Sequence, residues 1–202
     1  MLTEAISFTD LKHNYLSLLN DGLNSIDCNT IEKIYKEILF AINNDKTIFV
    51  CGNGGSAAIA EHLSCDHSKG IASNTPLIPR VISLNSNMAL LTATANDYGY
   101  DKVFSTQLAL QGRSGDLLIV ISSSGNSPNI IEALAAAKLL GLKSISLTGF
   151  YGGETKNKSD FNVHIPVHNY GVVEDCHQII MHMIAQYIRT IHTHVDIKTV
   201  KL

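Results

Sequence analysis

The spacing of apolar residues changes near residue 45 and divides the chain into two parts. In residues 3–44 apolar side chains recur every three or four positions, which predicts amphipathic helices. A second helix is expected from about Thr30 to Asn43. The first helix carries one apolar stripe, formed by Leu11, Tyr15, Leu18, Leu19 and Leu23. We expect residues 1–44 to be a helical pair within the same domain as the rest, available for oligomer contacts.

Beyond residue 45 short apolar runs alternate with helical segments. The runs are continuous rather than alternating, as expected for parallel strands that are covered on both faces. We therefore predict an α/β fold over residues 45–192, a doubly wound, mainly parallel five-stranded sheet, followed by a tail at 193–202. The predicted strands cover residues 47–51, 80–84, 117–121, 143–148 and 161–167. The predicted helices cover residues 56–69, 87–95, 100–111, 127–140 and 172–192.

The last predicted helix is apolar around most of its circumference. Such a helix is buried in a core or in a subunit interface, and at this chain length we favour an interface and an oligomer. Its polar positions Glu174, Gln178 and His182 are spaced four apart, a stripe that taken alone is typical of a solvated face. Glu174 and His182 lie ~12 Å apart along the axis. They can therefore share one ion only if both side chains lean inward or one comes from another subunit.

Composition narrows the class of protein. The chain has 202 residues, 45% of them apolar and 16% charged, enough for one domain with a full core. Its formal charge of −3 and its lack of a basic tract give no reason to expect nucleic-acid binding. Four cysteines without a CxxC pair favour a reducing, cytoplasmic setting. We expect no signal peptide and no membrane span.

Two of the predicted strands run into loops of glycine, serine and asparagine that open a helix. A strand that feeds such a loop exposes free backbone N–H groups, and serines add hydroxyl donors, so the arrangement binds anions and phosphate above all. Neither loop contains the lysine of a Walker A motif, and neither reads GxGxxG. An ordinary capped turn is the alternative. The candidate ligand-binding residues are Asn53, Gly54, Gly55 and Ser56 in CGNGGS, and Ser122, Ser123, Ser124 and Ser127 in SSSGNSPN.

The position of these loops predicts a common pocket. Ser127 precedes Pro128, which is favoured at the first helical position, so Ser127 is the expected N-cap. Ligands of open α/β sheets bind outside the carboxyl ends of the strands, where both loops lie. The polar residues Asn96 and Asp97, expected to follow the helix of residues 87–95, can join the same pocket.

His62 and Asp66 are four residues apart and therefore share one helical face. An imidazole and a carboxylate so placed can bind a metal or transfer protons. An exposed local pair without further function is the alternative.

Five motifs follow one another along the chain: CGNGGSAA, His-x-x-x-acid, AND-Y-G, SSSGNSPN and YGVVEDCH with a later His. Together they resemble the sugar isomerase (SIS) domain family. Within it the chain is most similar to the D-sedoheptulose 7-phosphate isomerases, also called phosphoheptose isomerases. The resemblance extends over roughly residues 5–190. It implies a homotetramer with active sites between subunits, and one zinc ion per subunit.

The resemblance also implies roles for individual residues. Asn53, Gly54 and Gly55 match a substrate loop, the four serines of SSSGNSPN match a phosphate clamp, and Asn96 and Asp97 match a segment that contacts the sugar. His62 and His182 match zinc ligands, and His182 is also the implied general acid. Asp66 and Glu174 match the remaining catalytic and metal-binding positions, and both also match substrate contacts.

At two positions the chain departs from this pattern. The family has Glu as zinc ligand and general base where this chain has Asp66. Asp is one methylene shorter than Glu, so its carboxylate falls about 1.5 Å short of that position unless the helix shifts. The family commonly has Gln where this chain has Glu174, and a carboxylate there can strengthen metal binding. We expect the two changes to compensate for each other, with the metal held more by Glu174 and the role of base shared, so that Asp66 or Glu174 is the candidate base.

The implied reaction is the interconversion of sedoheptulose 7-phosphate and D-glycero-D-manno-heptose 7-phosphate through an enediol. The product would supply heptose for lipopolysaccharide or capsule. Two alternatives remain at this stage, namely an isomerase of another sugar phosphate and a non-catalytic SIS-domain protein that binds a phosphosugar or a partner. The non-catalytic alternative is disfavoured because the chain retains polar residues at the implied catalytic positions, His62, Asp66, Glu174 and His182.

Overall fold

The computed structural model describes residues 7–193 and confirms the predicted fold class. Five parallel strands form one sheet in the order β2-β1-β3-β4-β5. Helices cover both faces of the sheet. Residues 1–6 and 194–202, which include most of the predicted tail, lie outside the described part of the chain.

Most elements lie where the hydrophobic pattern predicts them. The strands are β1 Thr47–Gly52, β2 Arg80–Ser83, β3 Leu117–Ser122, β4 Lys143–Gly149 and β5 Phe161–Ile165. The helices are α1 Phe8–Asn24, α2 Cys28–Asn43, α3 Gly55–Cys65, α4 Met88–Tyr98, α5 Ser105–Gln111, α6 Pro128–Leu140, α7 Thr155–Lys158 and α8 Tyr170–His192.

Alternate residues of the strands enter two separate cores. In β1, Ile48 and Val50 face the side of the sheet that is covered by α2, α3 and α8, while Phe49 and Cys51 face the side that is covered by α5 and α6. All six residues of β1 and of β3 are buried. This explains why both strands are continuous apolar runs in the sequence.

Several details differ from the predicted elements, among them the short helix α7, which the pattern does not predict. The edge strand β2 has a partner on one side only and is mostly exposed. Helix α4 continues through Tyr98, so Asn96 and Asp97 lie in its last turn and not in a loop after it. The predicted helix of residues 100–111 is a 3₁₀ turn, Tyr100–Lys102, followed by α5. The predicted helix of residues 56–69 changes at Asp66 into a π-helical turn, Asp66–Gly70.

The N-terminal helices are attached to the long helix α8 and to the sheet. Buried residues of α2 belong to the same core as β1 and α8. Helix α1 approaches α8 closely at Gly22, where a Cβ atom would lie 2.9 Å from the Cys176 Sγ. The hydroxyl of Tyr15 donates a hydrogen bond of 2.6 Å to Asp175 on α8. Among residues 7–193 no helix has the length and apolar character needed to cross a bilayer.

Candidate active site

The strand order places the two glycine- and serine-containing loops side by side. From β1 the chain passes to β2 at one edge of the sheet, and from β3 it passes to β4 and β5 in the opposite direction across the sheet. The crevice between β1 and β3 is therefore the topological switch point, where ligands of such sheets bind. The loop of residues 52–56 follows β1, and the loop of residues 122–127, the serine loop, follows β3.

A small cavity of about 160 Å³, the serine pocket, lies between these loops. The N-termini of α3 and α6 both open onto it, since Ser56 belongs to the first turn of α3 and Ser127 is the N-cap of α6. The partial positive charge of a helix N-terminus favours an anion at such a place. The pocket is lined by Asn53, Ser56, Ile121, Ser122, Ser123, Ser124, Ser127, Tyr170 and Glu174.

Two hydroxyls of the serine pocket are free to bind a ligand. Ser123 Oγ is buried and has no hydrogen-bond partner in the described part of the chain. Ser127 makes no side-chain hydrogen bond as the N-cap of α6, although this is the usual role of an N-cap serine. A buried hydroxyl without a partner is costly, and an anionic oxygen in the pocket would remove that cost.

The serine loop is held rigidly by its own backbone. Gly125 has φ +68°, and an added Cβ would collide with the Gly152 carbonyl oxygen, so this position requires glycine. The Gly125 N–H donates to Ser122, both to its carbonyl oxygen at 3.1 Å and to its Oγ at 3.2 Å. The Gly149 N–H donates to the Ser123 carbonyl oxygen at 2.9 Å. These bonds orient the loop before any ligand binds.

Three side chains outside the predicted set fix Asn53 and the neighbouring Gly52. The amides of Asn53 and Asn129 exchange two hydrogen bonds, of 2.8 and 2.9 Å, and the Tyr100 hydroxyl donates to Asn53 Oδ1 at 3.0 Å. Asn85 donates to the Gly52 carbonyl oxygen at 2.9 Å and accepts from its N–H at 3.2 Å. Asn129 lies within the SSSGNSPN motif, but nothing in the sequence indicates that it pairs with Asn53.

His62, Asp66 and His182, the metal cluster, lie together although they come from two distant parts of the sequence. One ligand atom from each of the three side chains lies within 4.8 Å of the other two. Asp66 Oδ2 is 3.5 Å from His62 Nε2 and 3.4 Å from His182 Nε2. Two imidazoles and a carboxylate are a donor set that suits Zn²⁺, so the residues present fit the implied metal.

A π-helical turn begins at Asp66, whose short side chain reaches both imidazoles. π-Turns within helices are frequent at functional sites. The turn is tied to α8 because the ring of the buried His67 donates a 3.2 Å hydrogen bond from Nε2 to the Met181 carbonyl oxygen. Burial lowers the pKa of His67 to about 4 and keeps the ring neutral.

Glu174 does not belong to the metal cluster. Its carboxylate lines the serine pocket and lies against Gly55, where an added Cβ would collide with it. The sequence grouped it with His62, Asp66 and His182 as a metal ligand. The straight helix α8 separates it from His182 by two turns, about 12 Å, which is why one cluster does not include both. The amide of Gln178, between them on α8, lies instead against both imidazoles.

Asn96 and Asp97 are not brought to the serine pocket of the same chain. Both are exposed in the last turn of α4, where Asn96 Nδ2 donates to Asp97 Oδ1 at 2.9 Å. The predicted common pocket therefore contains the two loops and Glu174 of one chain, without these two residues.

Comparison with known proteins agrees with this geometry. The SIS domain family matches residues 14–149. A phosphoheptose isomerase from Aliarcobacter butzleri is 40% identical over 158 residues, which are 78% of this chain and 83% of that protein. The chain belongs to the phosphoheptose isomerases of the SIS-domain family. It is therefore an isomerase.

Solved structures support the same family assignment. The phosphoheptose isomerase from Neisseria gonorrhoeae superposes with a TM-score of 0.82 at 30% identity, covering 90% of this chain and 98% of that chain. One from Francisella tularensis superposes with a TM-score of 0.83 at 29% identity, covering 92% of this chain and all of that chain. A probable phosphoheptose isomerase from Thermoplasma volcanium is 36% identical over 87% of this chain and 89% of that protein.

Proposed function

We propose that this phosphoheptose isomerase converts sedoheptulose 7-phosphate into D-glycero-D-manno-heptose 7-phosphate, with a Zn²⁺ ion at the metal cluster. The observation that supports the substrate class is the serine pocket, because Ser123 Oγ is buried there without a partner at the N-terminus of α6. We place the phosphate in this pocket, with Ser122, Ser123, Ser124 and Ser127 as donors. Asn53, Gly54, Gly55 and Ser56 contact the substrate from the other loop.

The reacting end of the sugar is then presented to α8. Its polar stripe runs from Glu174 in the serine pocket to His182 in the metal cluster, over two helical turns. Binding energy at the phosphate holds C1 and C2 near the acid and the base. Glu174, in this proposal, contacts the sugar between the two ends, with a catalytic contribution through orientation.

The proton transfer requires a base at C1 and an acid at the C2 oxygen. These atoms are neighbours, so the two groups must be close together, and Asp66 Oδ2 lies 3.4 Å from His182 Nε2. We assign Asp66 as the base and His182 as the acid. Asp66 has two oxygens, so Oδ2 can face the imidazoles while Oδ1 takes the proton. Zn²⁺ held by His62, Asp66 and His182 would supply Lewis acidity. A ring nitrogen bound to metal carries no proton, so His182 would then donate its proton from the other ring nitrogen, Nδ1.

The assembly that we propose is a homotetramer with active sites between subunits. Asn96 and Asp97 are exposed and lie outside the serine pocket of their own chain, so they are available to the site of a neighbouring subunit. Helices α2 and α8 leave an open apolar groove of about 430 Å³ that includes Ile31, Met183 and Tyr187. We assign this groove to contacts between copies of the chain, and we expect the protein in the cytoplasm.

The test is turnover of sedoheptulose 7-phosphate by the zinc-loaded chain in D₂O, followed by NMR. We expect the aldose heptose 7-phosphate, with deuterium at C2, because an enediol exchanges its proton with solvent. Turnover of a different ketose phosphate alone would show another sugar-phosphate isomerase. Binding of sedoheptulose 7-phosphate without isotope exchange or product would show a binding protein and refute the proposed reaction.

A further inference from the structure

The side chain of His67 joins the π-helical turn to α8. It is 1% exposed, and its Nε2 donates a hydrogen bond of 3.2 Å to the carbonyl oxygen of Met181. Both residues are chain neighbours of the metal cluster, because His67 follows Asp66 and Met181 precedes His182. The bond therefore connects the backbone beside the proposed base to the backbone beside the proposed acid.

This hydrogen bond leaves another atom of the same ring without a partner. A carbonyl oxygen can only accept, so Nε2 of His67 carries the ring proton and Nδ1 has a lone pair. Nδ1 is buried and has no hydrogen-bond partner among the residues that the structure describes. A buried acceptor without a partner is destabilising. An apolar side chain such as leucine would fill this position without that cost, so stability alone does not account for a histidine here.

The place of the Asp66 carboxylate depends on the backbone of the π-helical turn. Asp66 Oδ2 is 3.4 Å from His182 Nε2, longer than a normal hydrogen bond, so the contact itself does not fix the carboxylate. The separation is instead set by how the turn packs on α8. The bond from Arg189 Nε to the Ser73 carbonyl oxygen, of 3.1 Å, joins α8 to the chain beyond the turn. The bond of His67 lies within the turn, directly beside Asp66.

We propose that His67 is a positioning residue of this isomerase, which holds the carboxylate of Asp66 against the imidazole of His182 through its hydrogen bond to Met181. The proposal rests on the proposed function, in which these two groups are the base and the acid. His67 is buried, so it acts through Asp66 and not on the substrate. A misplacement of about 1 Å can cost about 10²-fold in rate, so a bond at this place matters for turnover.

Two substitutions of His67 test the hydrogen bond. His67→Leu removes the donor together with the unpartnered Nδ1. His67→Gln keeps an N–H donor, because the amide nitrogen of glutamine is the same number of bonds from Cα as Nε2 of histidine. In both variants the Met181 carbonyl oxygen keeps the helical partner of its position in α8, the N–H of Ala185.

The measurements are turnover of sedoheptulose 7-phosphate at saturating Zn²⁺, zinc affinity by competition with a chromophoric chelator, and urea unfolding of the metal-free protein. We expect His67→Leu to lower kcat by at least ~10-fold and to change KM by less than about 3-fold, since the serine pocket is untouched. Its zinc affinity should fall by at least ~10-fold. Its urea midpoint should not fall, because loss of the hydrogen bond is offset by removal of the unpartnered atom.

A conservative variant and a matched control complete the set. His67→Gln should keep kcat and zinc affinity within about 3-fold of the wild type, because it restores the bond to Met181. His13→Leu makes the same replacement at an exposed histidine of α1. It should leave kcat, KM and zinc affinity at their wild-type values.

Three results would overturn the proposal. Wild-type kcat and zinc affinity in His67→Leu would show that the hydrogen bond positions nothing. Equal losses in His67→Leu and His67→Gln would assign the effect to the shape of the ring. A lower urea midpoint in His67→Leu, with kcat per folded molecule unchanged, would show a structural role only.

Failure of the proposed function gives a different result. A wild type that binds zinc but does not turn over sedoheptulose 7-phosphate would refute the proposed reaction. The zinc affinities of His67→Leu and His67→Gln would then still decide whether His67 positions the metal cluster.

Discussion

The two carboxylates of the proposed site, Asp66 and Glu174, have different surroundings. Asp66 contacts both imidazoles of the metal cluster, whereas Glu174 lies in the serine pocket against Gly55. The sequence alone left both residues as candidates for the base. Their distances to His182 favour Asp66.

We therefore expect Asp66→Asn to lower kcat by at least ~10², the usual cost of losing a general base. Glu174→Gln should lower kcat by less than ~10-fold because it keeps a polar contact to the sugar and removes no base. The measurement is kcat on sedoheptulose 7-phosphate, with bound zinc determined in each variant so that loss of metal is recognised. The reverse order of the two effects would assign the base to Glu174.

Ser123 offers a test of the phosphate pocket that separates binding from stability. Its hydroxyl is buried without a partner, so Ser123→Ala removes an unpaired polar group and should not destabilise the fold. A hydrogen bond to a charged group is worth about 1.5–3 kcal/mol, so KM should rise by about 10- to 100-fold with a smaller change in kcat. Ser17→Ala, an exposed serine of α1, is the matched control. An unchanged KM in Ser123→Ala would exclude this hydroxyl as a phosphate donor.

Between elements, the packing of α1 on α8 is a polar as well as an apolar contact. Tyr15 donates to Asp175, and its pKa is raised to about 12 by burial first, and then by the hydrogen bond and charge of Asp175. The pKa in the folded protein exceeds that of an unfolded tyrosine, about 10. The contribution to stability is therefore fully present below pH ~10 and is lost as the pH rises toward ~12.

We expect Tyr15→Phe to reduce the free energy of unfolding by about 1 kcal/mol at pH 7, a value reduced by solvent screening because the contact is partly exposed. The difference from the wild type should shrink as the pH rises above ~10. Urea unfolding at a series of pH values measures it, with Tyr98→Phe, an exposed tyrosine, as control. A difference that is constant with pH would mean that Tyr15 contributes only by packing.

At the scale of the whole molecule, one chain leaves apolar surface uncovered. Met183 is 48% exposed and Tyr187 is 48% exposed on α8, beside the groove that α8 forms with α2. A helix that is buried on one side and apolar on the other is typical of a subunit interface. This surface is a reason to expect an oligomer.

We expect light scattering to give the mass of four chains for the wild type. Met183→Glu should dissociate the tetramer at micromolar concentration, because burying an unpaired carboxylate in an interface is costly. Leu139→Glu changes an 88% exposed leucine on α6 and should leave the assembly intact. A monomeric wild type, or equal effects of both substitutions, would contradict the proposed interface.

The hydrophobic pattern alone determined the fold class, the five strands and most helices, because buried parallel strands and amphipathic helices have local periodicities that the sequence displays. The sequence also indicated both candidate phosphate-binding loops, because each consists of a strand, a segment rich in glycine or serine, and a helix in direct succession. The last turn of α4, the π-helical turn at Asp66 and the exposure of β2 depended on contacts between distant residues, which spacing does not encode. For the same reason only the tertiary structure decided that Gln178, and not Glu174, lies between His62 and His182. Helix α8 fixes the spacing of its own side chains. The packing of α8 against α3 then selects which of these side chains face the metal cluster.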